Sequence, residues 1–135
     1  MAKIRHVAIS TEDPEKTAAW YKEVFGLVEV GRTGAGVYLS DGDINFAVLR
    51  IPSKEHPGTV ELGVNHFGFV VEDPQATYRK LEEMGAQRLP DVPIGNMFFE
   101  VKYAGPDGQT VDVSEHGWVG AKGLESEAAE PAAVR

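Results

Sequence analysis

His6 and His66 stand 60 residues apart, and each is followed six positions later by Glu-Asp-Pro: Glu12-Asp13-Pro14 and Glu72-Asp73-Pro74. Imidazole carries protons near neutral pH and ligates first-row metals. A lone histidine in a strand is most often a satisfied core or surface residue. Two at equivalent positions of an internal repeat point to a shared task. Strand alternation puts His6, Ala8 and Ser10 on one face and Val7 and Ile9 on the other, and likewise His66, Gly68 and Val70 opposite Phe67, Phe69 and Val71. The larger apolar faces suit a covering helix. The histidine faces suit a concavity, where Ala8 and Gly68 leave room for a ligand beside each imidazole.

Composition narrows what that ligand can be. The 135 residues contain no cysteine, four histidines, and 13 Lys+Arg against 21 Asp+Glu, for a net charge of −8. Thiolate metal sites, disulfides and cysteine nucleophiles are excluded, so any metal must be held by His, carboxylate, amide or water. An acidic chain without a basic patch is a poor partner for nucleic acid or anionic membrane. No apolar run approaches the ~18 residues of a membrane span, and no signal-peptide pattern follows Met1–Arg5. The expectation is a cytoplasmic domain acting on a small molecule. With 42% hydrophobic residues it can build one core.

The repeat also organises the elements that must position the histidines. Strands are expected at Ile4–Ser10 and Val64–Val71. Asp13 and Asp73 are N-caps, each with proline at the first helical position, and the helices stop at Gly26 and Gly85. Two further strand pairs turn about Asp41-Gly42 (Gly36–Leu39 with Ile44–Ile51) and about Pro106-Asp107-Gly108 (Met97–Tyr103 with Gln109–Ser114). The fold class is α+β: two βαβββ modules, residues 3–52 and 63–117, that form cupped mixed sheets. Residues 53–62 read as the linker within a domain spanning 1–122, and 123–135 as a disordered tail.

This pattern resembles the vicinal oxygen chelate superfamily, which includes glyoxalase I, methylmalonyl-CoA epimerase, extradiol dioxygenases and the fosfomycin and bleomycin resistance proteins. The likeness rests on Lys3–Tyr21 with Phe25-Gly26-Leu27, on His66-Phe67-Gly68-Phe69, and on Gly105 through Asp112. It implies a glyoxalase/bleomycin resistance/dioxygenase-like fold and metal ligands on the first and last strands of each module. Those ligands are His6, His66 and Asp112, the last standing where the family usually has glutamate. Asp112 lies between Val111 and Val113, where aspartate is disfavoured in a strand. The fourth ligand position falls on Phe46, which cannot coordinate a metal. Two histidines and one carboxylate form a facial triad suited to one divalent ion, Fe(II), Mn(II), Ni(II) or Zn(II), in dioxygenase-type or Lewis-acid chemistry on a vicinal-oxygen substrate. Glu115 is a reserve carboxylate. Extradiol enzymes carry a tyrosine before the Pro-x-Gly turn; Tyr103 is the catalytic residue expected by that likeness, although Lys102 occupies the matching slot. Phe46 and Phe98 are expected to line the substrate cup. The alternatives are a metal-free drug-sequestering binder and a glyoxalase- or epimerase-like lyase or isomerase. Small members commonly form homodimers, so the site is expected within one chain or between two.

Overall fold

The computed structural model describes residues 1–51, 61–91 and 100–124. Most of the expected linker, the Met97–Phe99 stretch with Phe98, His56, and nearly all of the expected tail lie outside the described residues.

Each module opens with its histidine strand and a proline-started helix. In the first, β1 (Lys3–Thr11) leads into α1 (Pro14–Phe25). Asp13 caps α1 by accepting from Lys16 N, and Gly26 closes it in the left-handed conformation (φ 73°) that glycine adopts without a Cβ clash. There follow β2 (Val28–Thr33), β3 (Gly36–Ser40) and β4 (Asn45–Arg50). The second module repeats the order with β5 (Gly63–Val70), α2 (Pro74–Glu83), a two-residue β6 (Gln87–Arg88), β7 (Glu100–Ala104) and β8 (Thr110–Ser114). Asp73 caps α2 through Ala76 N. The expected strand at Val64–Val71 thus starts and ends one residue earlier, and β2 and β6 complete the two βαβββ units.

All eight strands form one sheet in the order β2-β3-β4-β1-β5-β8-β7-β6. Within each module the histidine strand runs parallel to the last strand, β1 with β4 and β5 with β8. The modules join where β1 and β5 pair antiparallel, with His6 opposite Gly68 and Ala8 opposite His66. Each histidine therefore sits beside the other module's small residue. The seam is intrachain, so both histidines of one chain meet.

One face of the sheet is apolar. Ile9, Val37, Leu39 and Val48 pack with Ala18 of α1, and Tyr21, Leu27 and Phe46 close around them. The other face holds buried polar groups: His6, Ser10, Ser40, Asn45, His66, Lys102, Asp112 and Ser114. So many buried polar side chains are expensive unless paired, which marks this face as the one built for chemistry. Among the described residues, no helix is long and apolar enough to cross a membrane.

Candidate metal centre

Register alone brings the site together. His6 faces Asn45 across β1–β4, Gly68 faces His6 on one side and Asp112 on the other, and Lys102 faces Asp112 across β7–β8. His6 Nε2 lies 3.0 Å from His66 Nε2. Asp112 Oδ2 lies 3.1 Å from His66 Nε2 and 3.7 Å from His6 Nε2. His6, His66 and Asp112, the three expected ligands, converge. A fourth group joins them: ligand atoms of His6, His66, Glu100 and Asp112 all lie within 4.8 Å of one another.

Hydrogen bonds behind the histidines fix which nitrogen faces the cluster. Asn45 Nδ2 donates to the carbonyl of Val119 (2.8 Å), which turns Asn45 Oδ1 toward His6 Nδ1 at 2.7 Å. His6 Nδ1 must then carry the proton. Asn65 Nδ2 donates to Ser10 Oγ, and Asn65 Oδ1 accepts from His66 Nδ1 at 2.6 Å. Both Nε2 atoms consequently face each other and a carboxylate oxygen. Burial, reinforced by the neighbouring His66, holds the pKa of His6 down to about 4, so its imidazole is neutral. Asp112 Oδ2 is buried with no hydrogen-bond partner among the described residues. The three atoms stand at the corners of a triangle with edges of 3.0, 3.1 and 3.7 Å. Ligands about 2.0–2.2 Å from a single ion are separated by roughly 3.0–3.5 Å. The donor set fits a divalent metal.

The carboxylates are held from the other side. Lys102, only 6% exposed, donates to Asp112 Oδ1 at 2.8 Å and to Glu100 Oε2 at 3.4 Å. One oxygen of Asp112 is thus tied to an ammonium and the other left to the histidines. Burial, and then its contact with Asp112, raises the pKa of Glu100 to about 7.

Trp118 closes the flank. Its indole stacks on His6 (centroids 4.7 Å, 6° between planes) and lies against Gly68, where a Cβ would fall 2.7 Å from the ring. The space left by glycine beside the imidazole is filled by the chain's own tryptophan. The segment carrying it is strapped to module one: Ser40 Oγ donates to Gly120 O, and Lys122 N donates to Asp43 O.

Other expected site residues lie elsewhere. Tyr103 is wholly buried on the opposite face of β7, where its hydroxyl donates to Glu82 of α2 (2.8 Å) and its ring stacks near Tyr78. Alternation explains this: Tyr103 pairs with Val111, and Lys102 takes the inward place. Phe46 points to the helix side against Tyr21 (4.8 Å between rings), which leaves its neighbour Asn45 to face the site. Neither Tyr103 nor Phe46 reaches the histidines. Phe98 lies outside the described residues. Glu115 is exposed beside His116. Sequence reasoning missed Glu100, Asn65 and Trp118.

Comparison with known proteins agrees with this architecture. The family model of the Glyoxalase/Bleomycin resistance protein/Dioxygenase superfamily matches residues 3–113. A glutathione transferase, FosA, of Serratia marcescens is 24% identical over 87 residues, covering 63% of this chain and 62% of that relative. Among solved structures, the Mn(II)-bound glyoxalase from Novosphingobium aromaticivorans aligns with TM-score 0.68 at 19% identity, over 89% of this chain and 40% of that one. A Streptomyces coelicolor methylmalonyl-CoA epimerase bound to 2-nitronate-propionyl-CoA aligns with TM-score 0.63 at 18% identity, over 82% and 94% of the two chains. At these identities the structural likeness establishes the fold.

Proposed function

Because the chain belongs to the Glyoxalase/Bleomycin resistance protein/Dioxygenase superfamily, we propose that it is a metal-dependent enzyme acting on a small molecule that chelates through vicinal oxygens. The observation that carries this reading is the convergence of His6 Nε2 and His66 Nε2 with Asp112 Oδ2, a buried oxygen that has no hydrogen-bond partner among the described residues. These three residues would hold the ion. When bound, a divalent ion supplies a Lewis acid that polarises the substrate's oxygens.

The chain's own residues do the rest. Asn45 and Asn65 keep the Nδ1 protons in place and aim both imidazoles. Lys102 keeps Asp112 turned so that one oxygen faces the histidines. Trp118 covers His6 and excludes water from that flank, which strengthens charge interactions inside.

The buried ammonium of Lys102 favours a second reading, in which it is the cluster's resident cation and the protein sequesters a ligand without metal. Reconstitution separates the two. Protein purified without chelators and incubated with Mn(II), Fe(II), Ni(II) or Zn(II) is expected to retain one ion per chain, and His66→Ala to retain none while keeping its far-UV spectrum. Uptake well below one ion per wild-type chain overturns the enzyme reading. Screening loaded protein for oxygen consumption, isomerisation and thiol transfer on chelating oxygen compounds then sorts the reaction class.

A further inference from the structure

The ligand position that module one leaves to Phe46 has no substitute on β4. Phe46 packs against α1, and Asn45 has its amide committed to His6 and Val119. Module two carries a spare. Glu100, two residues before Lys102, shares the inward face of β7; its side chain is 7% exposed, and one carboxylate oxygen lies within 4.8 Å of the His6, His66 and Asp112 ligand atoms. Its tie to Lys102 is the looser of that lysine's two, 3.4 Å against 2.8 Å for Asp112. Glu100 is therefore the carboxylate that Lys102 holds less closely, while Asp112 keeps the shorter contact.

Resting on the metal reading above, we propose that Glu100 is the fourth protein ligand, taken from the penultimate strand of module two in place of the last strand of module one. The centre is then two histidines and two carboxylates, three of the four from module two. Six-coordinate ions keep two positions open under this assignment. A substrate that chelates through two vicinal oxygens fills both, and none remains for dioxygen. Lewis-acid chemistry is thereby selected over oxygen insertion. Charge narrows the substrate class as well. A divalent ion and the Lys102 ammonium bring three positive charges, and Asp112 and Glu100 bring two negative ones. The remaining positive charge, buried, selects a ligand that binds as an oxyanion, such as an α-hydroxycarboxylate or an enediolate.

Mn(II) on the full-length protein is the probe, and the water molecules it retains are counted by water-proton relaxation. Two are expected, and oxalate is expected to displace both. Three or more waters, or fewer than two, overturn the proposal. Glu100→Ala is expected to gain a water and to bind Mn(II) at least tenfold more weakly, since loss of an outer-shell partner alone is worth roughly 10–100-fold; Glu100→Gln is the isosteric control for folding. Should neither variant fold, the wild-type water count decides. Wild-type protein that takes up no Mn(II) overturns the metal reading together with this one. Mn(II) uptake with an unchanged water count and affinity in Glu100→Ala overturns this proposal alone.

Discussion

Asn45 Oδ1 accepts the Nδ1 proton of His6 across 2.7 Å, while the same amide donates to the carbonyl of Val119. One side chain thereby sets the tautomer of a histidine from module one and ties it to the strap that follows module two. Asn45→Leu removes the acceptor and frees the ring to rotate or take the other tautomer. Metal affinity is expected to fall by roughly 10–100-fold, with a smaller loss for Asn45→Asp, which still accepts. Isothermal titration with Mn(II) measures both, and an affinity unchanged in Asn45→Leu contradicts the assigned role.

Lys102 neutralises two buried carboxylates. Lys102→Met leaves them uncompensated, which typically destabilises a protein by about 3–5 kcal/mol. Urea unfolding in the presence of a chelator should register this loss, and saturating Mn(II) should restore much of it by supplying the missing positive charge. A deficit that persists undiminished in Mn(II) would mean that lysine and metal do not serve the same carboxylates.

Gly68 lies beneath the Trp118 ring and against Cβ of His6, with distances of 2.7 and 2.8 Å to the place a Cβ would take. Gly68→Ala must push one of them aside. Since Trp20 is exposed and Trp118 buried, the displacement is readable as a red shift of tryptophan emission in a Trp20→Phe background, alongside a loss of about 1–3 kcal/mol from overpacking. Unshifted emission would place the strain elsewhere.

Two shifted groups predict an unusual pH response of the metal-free protein. His6 goes from 6.5 unfolded to about 4 folded, so between those values the unfolded chain binds a proton that the folded chain refuses. Stability from His6 is full above pH 6.5 and is lost as pH falls toward 4. Glu100 goes the other way, from 4.5 to about 7, and its folded form keeps a proton that the unfolded chain has released; that contribution falls as pH rises. Over the shared range, pH 4.5–6.5, the two slopes oppose each other. Glu100→Gln removes one of them, so its stability should climb from pH 4.5 to 6.5 more steeply than that of the wild type, by about 2–3 kcal/mol. Urea melts at half-unit pH steps in chelator check this; parallel profiles refute it.

The Tyr103 hydroxyl serves α2 through Glu82. Tyr103→Phe is expected to lose about 1 kcal/mol of stability and no Mn(II) affinity. A weakened metal site would mean that this tyrosine acts across the sheet.

Much of this arrangement was legible because it follows period and register. The repeat located His6 and His66, the Asp-Pro pairs placed both helices at their observed starts, and strand alternation turned Asp112 inward. Glu100 and Lys102 were within reach by the same logic: a hairpin about Pro106-Asp107-Gly108 pairs Lys102 with Asp112 and Glu100 with Ser114, one inward face. Tyr103 and Phe46 were expected from a family likeness and an aromatic character, and alternation turns both to the helix side of the sheet. Asn65 and Trp118 were harder. Asn65 is the residue skipped where the β1–β5 register shifts between Ala8 and Ile9, and its amide folds back onto the next residue's ring. Trp118 arrives from an irregular segment whose path no local pattern encodes.

The seam between β1 and β5 has a consequence for assembly. Each half contributes one imidazole, and the two nitrogens come within 3.0 Å only after the antiparallel pairing has formed. Module two holds His66, Glu100 and Asp112, and module one completes the set with His6. An ion held there would bridge the two halves across the β1–β5 seam, so two co-expressed half-chains should stay joined more firmly with the ion than without it.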